Sequence, residues 1–203
     1  EVAARETRDM APAFAFAFQR LLQRAGAEDR RPIVFAASKN WLRERGIPSA
    51  QGLARRAGGR IRLILIAPAK EAEALWALEE ALKSGAVAGG VAGVEQVPFV
   101  MTRRLDFAAK AGRATAMLLR SRPPDDLSAA HLRWQVTSLA SLVHPLDAKS
   151  PGVSRLEADL VRRRDGPPGR YLMEGEDETH RLRLAARLAG DGLVAAARTV
   201  VAA

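Results

Sequence analysis

Four arginines stand around one turn: Arg162, Arg163 and Arg164 before Asp165-Gly166-Pro167-Pro168-Gly169, and Arg170 just after it. Two strands joined there carry four guanidinium groups on one hairpin tip, planar forks suited to phosphates or to the carboxylates of an acidic partner. The plain alternative is a solvated turn, although like charges this dense disfavour an isolated hairpin. Other chemistry-bearing residues are sparse. His131, His144 and His180 are the only histidines, and none sits in HExxH or a comparable spacing. There is no cysteine, so disulfides and Cys-based zinc sites are excluded. A serine paired with a distant histidine is available to any chain of this size, mostly by chance. The expectation is no catalytic residue, no cofactor and no metal. Trp41, Trp76 and Trp134 fall on element faces and read as core rather than as base-stacking platforms.

Net charge is +9, and the excess is arginine. Such a balance suits nucleic acid, an acidic protein partner or anionic lipid, or simply a surface on which Arg replaces Lys. Apolar residues make up 48% of 203, enough for a core within one domain. The longest apolar runs are well short of a membrane span, and no signal peptide is visible. The reading is a cytoplasmic protein with no membrane partner.

These groups need elements to position them. Residues 71–83 form an amphipathic helix: Ala72, Leu75, Leu78 and Leu82 recur three or four apart, with Trp76 and Ala81 widening the stripe and Glu71, Glu73, Glu79, Glu80 and Lys83 toward water. Ser84-Gly85 ends it, and the apolar run 86–94 follows as a strand buried on both faces. Gly89-Gly90 in that strand reads as room for close helix packing. A helix handing directly to a buried strand is half of a βαβ unit. The same grammar gives strands at 1–4, 32–37, 61–67 and 115–119. Helices are expected from Pro12, capped by Asp9, to Ala25, around Trp41-Leu42 from Ser38 or Asn40, over 51–57, and over 103–111 capped by Thr102. The period then changes to two: 131–139, 156–163, 170–174 and 180–188 alternate as half-exposed strands. Residues 122–126 and 144–152 are loops, and 193–201 a small helix or frayed tail. The chain opens without Met, inside or just before a strand, so a preceding segment is expected. The fold class is α/β: one open mixed sheet with a parallel core, antiparallel C-terminal strands over about 130–188, a tail over 189–203, and helices on both faces.

The stretch Leu63-Ile64-Leu65-Ile66, a Pro, Glu73-Ala74-Leu75, then Ala81-Leu82-x-Ser84-Gly85-Ala86-Val87 resembles the middle of the RecA recombinase core. The closer resemblance is to the RecA-like ImuA family of damage-inducible mutagenesis proteins. EALWALEEALKSGA at 73–86, RRLDFAAKAG at 103–112 feeding MLLR at 117–120, the strand around 132–136, and DLVRRRDGPPGRYLMEGEDETHRLRL at 159–184 carry it. It covers nearly the whole chain.

The resemblance places residues 1–12 where RecA has its phosphate-binding loop. Such a loop needs glycines, a Lys for the phosphates and a Ser or Thr for magnesium. Here Ala4 to Ala11 contain no Gly, Met10 stands for the Lys and Ala11 for the Thr, while Glu6 and Asp9 would repel phosphate. Ser38 falls where RecA has its catalytic Glu, and Gly93 where a magnesium-binding Asp would lie; Glu95 is the one candidate for a displaced carboxylate. The resemblance therefore implies a RecA-like fold without nucleotide hydrolysis. It also puts the strand at 61–67 on the sheet edge, where RecA filaments receive a neighbour's docking strand; Leu63 and Leu65 are candidate partner contacts there, unless a loop or a preceding segment covers them. RecA's DNA-binding loops would fall near Phe99-Val100 and within 121–128 or 144–152.

The function implied is an SOS-induced accessory factor of translesion synthesis. It would work with an ImuB-like Y-family polymerase homologue, an error-prone C-family DNA polymerase and RecA itself. Two alternatives stand beside it. One is a SulA-like cell-division inhibitor, although such chains are shorter and lack the Arg-rich hairpin. The other is a DNA-binding module of weak affinity.

Overall fold

The computed structural model describes residues 1–26, 28–59, 61–147, 149–176, 181–189 and 192–195. Strands and helices alternate first. β1 (Val2–Ala4) passes through a 3-10 turn at Thr7–Asp9 into α1 (Met10–Ala25). β2 (Ile33–Ala37) leads to α2 (Lys39–Arg45) and α3 (Ala50–Arg56), β3 (Leu63–Ile66) to α4 (Glu71–Lys83), and β4 (Gly89–Val94) to α5 (Phe99–Ala111) and β5 (Thr115–Arg120). Then β6 (Leu132–Leu139), β7 (Arg155–Arg163), β8 (Gly169–Gly175), β9 (Leu182–Ala189) and β10 (Gly192–Ala195) follow with no helix between them among the described residues.

All ten described strands join one sheet, in the order β10-β9-β8-β7-β6-β1-β5-β4-β2-β3. From β3 to β6 every pairing is parallel, and from β6 to β10 every pairing is antiparallel. This is the mixed sheet with helices on both faces that the sequence predicts, with β3 at its edge.

Strand alternation divides the core in two. Ile33, Phe35, Ala37 and Val91 face α1, α2 and α3, meeting Phe16, Phe18, Leu21, Trp41 and Leu53. Val34, Ala36, Ala92 and Val94 face α4 and α5, meeting Leu75, Leu78, Leu82 and Leu105. Each fully buried Leu or Phe here contributes on the order of 1.5–3 kcal/mol. The Gly89-Gly90 expectation holds in detail: a Cβ on Gly90 would sit 2.3 Å from Leu78 Cδ1.

Four local expectations need correction. Trp76 is 58% exposed, outside the apolar stripe of α4. Glu79, expected in water, is buried, because Lys83 at 2.6 Å and Arg104 at 2.9 Å reach it from α4 and α5. Burial alone would raise its pKa, but those two cations hold it below the ordinary carboxylate value. Thr102 does not cap α5, which starts a turn earlier behind Pro98; its hydroxyl donates to Phe99 O and accepts from Ala129 N–H. Finally, Gly192–Ala195 forms a strand on β9 rather than a helix or tail; residues 196–203, and His180 at the expected start of its strand, lie outside the described residues.

Candidate functional site

The junction between β1 and α1 is occupied by the chain's own groups. Asp9 is fully buried at the N-cap position of α1, but its side chain does not cap the helix. Oδ1 accepts from the N–H of Ser138 on β6 at 2.8 Å and from its hydroxyl at 2.5 Å, and Oδ2 accepts from Glu6 N–H at 3.0 Å. Burial pushes the Asp9 carboxyl up, but the Ser138 and Glu6 bonds with the nearby Arg8 charge outweigh it and hold the pKa below its ordinary value. A fixed negative charge therefore stands where a helix N-terminus would otherwise attract an anion. Met10 is buried beside it.

Next to this junction, Trp41 covers the end of β4. A Cβ on Gly93 would lie 2.8 Å from two indole carbons. An aspartate there, with its side chain longer still, requires Trp41 to leave. Ser38 is also committed, since its Oγ caps α2 by accepting from Trp41 N–H at 3.2 Å. Glu95 accepts from the Ser121 hydroxyl and lies 3.7 Å from Arg45. Of the positions that the RecA resemblance singles out, Asp9, Met10, Ser38, Gly93 and Glu95 are thus used in packing or internal hydrogen bonding, while Ala11 is exposed.

The arginine cluster at the β7–β8 turn does not converge. Arg162 donates to Ser128 O at 3.0 Å, and Arg164 to Ala129 O at 3.2 Å, with its Nη1 3.1 Å from His131 Nε2. Arg170 pairs with Glu157 at 2.7 Å. The first two pin the β5–β6 connection to β7. Arg163 turns instead toward a groove between the C-terminal half of α1 and β6–β9.

This groove is a cavity of about 740 Å³. α1 supplies Arg20 and Arg24; the strand ends supply Arg163, Arg164 and Arg183. Its floor is Trp134 on β6 and Tyr171 on β8, rings 5.6 Å apart, with Phe16 edge-on to Trp134 at 5.1 Å. Arg20 lies 5.9 Å above the Trp134 ring and Arg187 6.0 Å from that of Tyr171. Trp134 is half-buried: it packs against the α1-side core and also lines the groove. A second cavity, about 510 Å³, shares Arg20, Arg24, His131, Leu132 and Trp134 and continues the groove toward α5. Gln19 shapes its side: the amide accepts from Leu182 N–H at 2.5 Å and donates to Leu182 O, tying the start of β9 to α1. Burial and the like charge of Arg24 push the Arg20 guanidinium below its ordinary pKa.

Sequence reasoning found Arg163 and Arg164 but missed Arg20 and Arg24. Their signal was an i,i+4 pair of like charges, unfavourable on a helix unless something answers it. The remaining candidates stand apart. Leu63 is half-buried against the α1-side core, while its neighbours Ile64 and Leu65 on this edge strand are 43% and 41% exposed. Of the stretches where RecA's DNA loops would fall, 121–128 holds a closed network: Arg120 binds Glu1 at 3.3 Å and Asp126 at 3.0 Å, and Arg133 binds Glu1 at 2.7 Å. Among the described residues no cluster of metal-ligating side chains occurs, and no helix is long and apolar enough to cross a membrane.

No family model matches the chain. Protein ImuA of Caulobacter vibrioides (strain NA1000 / CB15N) is 30% identical over 169 residues, which span 77% of this chain and 69% of that protein. Protein ImuA of strain ATCC 19089 / CIP 103742 / CB 15 matches to the same extent. Among solved structures, SulA from Pseudomonas aeruginosa is similar over 60% of this chain and 96% of its own, with a TM-score of 0.42 and 20% identity.

Proposed function

This chain belongs to the ImuA family, and from that premise we propose that it is a non-catalytic, RecA-like interaction protein of the SOS mutagenesis machinery in the cytoplasm. It scaffolds or regulates translesion synthesis through an ImuB-like Y-family polymerase homologue, an error-prone C-family polymerase and RecA. The observation that carries the non-catalytic reading is the β1–α1 junction. The buried Asp9 carboxylate fills the junction, accepting from Glu6 N–H of the loop and from Ser138 of β6, and Trp41 stands over Gly93. An architecture kept without its phosphate cradle is one kept for its surfaces.

Two surfaces serve this reading. The free edge of β3, with Leu65 and Ile64 exposed beside Leu63, accepts an added strand from a partner. The turn bearing Arg162, Arg163, Arg164 and Arg170 offers charge to an acidic one. If the partner at the edge is RecA, one face substitutes for a protomer while the filled junction fails to support the next, which limits filament growth. The test has two arms. Titration with ATP and magnesium is expected to give no saturable binding and no hydrolysis. The immobilised full chain is expected to retain ImuB or RecA at low salt. Turnover of ATP overturns the non-catalytic part; retention of neither protein overturns the interaction part.

A further inference from the structure

We propose that the groove between α1 and the antiparallel strands binds single-stranded nucleic acid. The first observation is an accounting of charge. Several arginines meet carboxylates: Arg31 meets Asp29, Arg104 meets Glu79, Arg120 and Arg133 meet Glu1 and Asp126, and Arg183, at the groove itself, meets Glu174. Others, such as Arg43, Arg55 and Arg103, form no ion pair among the described residues and are scattered over the surface. The groove differs in bringing unpaired arginines together around one concavity. Among the described residues Arg20, Arg24 and Arg163 form no ion pair; Arg20 donates only to Gln23, and Arg24 and Arg163 form no hydrogen bond either. Asp165 lines the same cavity and pairs with none of them. Like charges concentrated in a concave, low-dielectric site raise the local potential and draw a polyanion.

The second observation is the floor. Trp134 and Tyr171 lie side by side under those cations, with apolar Leu132 and Leu184 beside them. An aromatic platform under a guanidinium rim accepts bases by stacking and phosphates by charge, without regard to sequence. The second cavity shares Arg20, Arg24, His131, Leu132 and Trp134 with the first, so the same cations and ring border both. An acidic peptide is the rival occupant, and the topology disfavours it. Strands β6, β7, β8 and β9 each have a partner on both sides, so the floor has no free strand edge for a peptide backbone. Nucleic acid needs none. The site is also separate from 121–128, which the Glu1–Arg120–Arg133–Asp126 network closes.

The test uses the full chain and a fluorescent oligothymidylate, with neither ATP nor a protein partner, so it stands or falls independently of the function proposed above. Binding is expected at low salt, with affinity falling as salt rises by about 0.7 log units per log unit for each phosphate contacted. The Arg24→Ala/Arg163→Ala pair is expected to lower affinity about tenfold or more and flatten that slope by about 1.4; Arg24→Lys/Arg163→Lys restores most of it. Oligothymidylate is expected to quench tryptophan fluorescence, and Trp134→Phe to remove that quench. The pair Arg103→Ala/Arg122→Ala, outside the groove, is expected to leave binding nearly unchanged. The proposal is overturned by absence of binding at low salt, by loss that is equal for both pairs, or by a glutamate-rich peptide that needs Arg24 and Arg163 where the oligonucleotide does not.

Discussion

The two ends of α1 handle polar groups in opposite ways. At its N-terminus Asp9 is buried, and both carboxylate oxygens accept bonds from the chain itself. Near its C-terminus Arg20 and Arg24 line an open groove and meet no carboxylate among the described residues. The RecA resemblance would put a phosphate-binding loop at the first end. The difference teaches that a group's position in the fold does not tell whether its charge is already met inside the protein. A group already satisfied inside the protein has no bond left for a ligand, whereas an unanswered guanidinium gains from one.

The largest expected effect tests whether the first end is closed. Gly93→Asp restores a metal-binding carboxylate by position, but its Cβ meets Trp41 at 2.8 Å and its charge enters a buried strand. Overpacking with an unpaired buried charge is expected to destabilise by about 3–5 kcal/mol, read as a shift of the urea midpoint. A variant of unchanged stability breaks the comparison at its root. Asp9→Ala comes next. It strands two backbone N–H groups and the Ser138 hydroxyl, at a cost of about 3 kcal/mol. The pH dependence has a definite sign. The folded pKa lies below the ordinary 3.8, so the stabilisation is complete above that value and is lost as pH falls through the folded pKa. Wild type is therefore expected to lose stability on acidification below about pH 4 by more than Asp9→Ala does.

Much of this contrast was legible in the sequence, though unevenly. The fully buried parallel strands β2 and β4 showed as apolar runs, such as Pro32 to Ala37, because burial on both faces leaves no room for polar residues. The RecA resemblance also put Met10, Ala11 and Gly93 where it expects Lys, Thr and Asp. What fills the β1–α1 junction did not show. Asp9 reads as a helix cap until Ser138, far along the chain, is seen to donate to it. Trp76 and Glu79 exchanged their expected places because α5 brings Arg104 across to Glu79, a contact that periodicity within α4 does not contain. The groove was half visible: the Arg162 to Arg164 run was read as one cluster, but strand alternation sends its members to different neighbours. Arg20 and Arg24 joined Arg163 only through packing of α1 on the sheet.

The third prediction concerns what holds the open end in shape. Gln19→Leu keeps the volume but leaves the N–H and C=O of buried Leu182 unpaired, at a cost of about 1–3 kcal/mol. Its effect should be local: hydrogen exchange is expected to rise in β9 while β4 stays protected. Uniform loss of protection would show that the groove wall and the parallel core unfold as one unit.

The smallest effect is the sharpest test of the comparison. Arg24→Ala and Arg163→Ala remove side chains with no ion pair or hydrogen bond among the described residues. Surface changes of this kind alter stability by about 0.5 kcal/mol or less, and relief of repulsion between Arg20 and Arg24 favours a slight gain for Arg24→Ala. A urea midpoint at or just above wild type is expected, in contrast to the loss at Asp9. If either arginine instead proves as costly to remove as Asp9, it is held by the fold. The two ends of α1 would then be alike, each holding its polar groups for the fold.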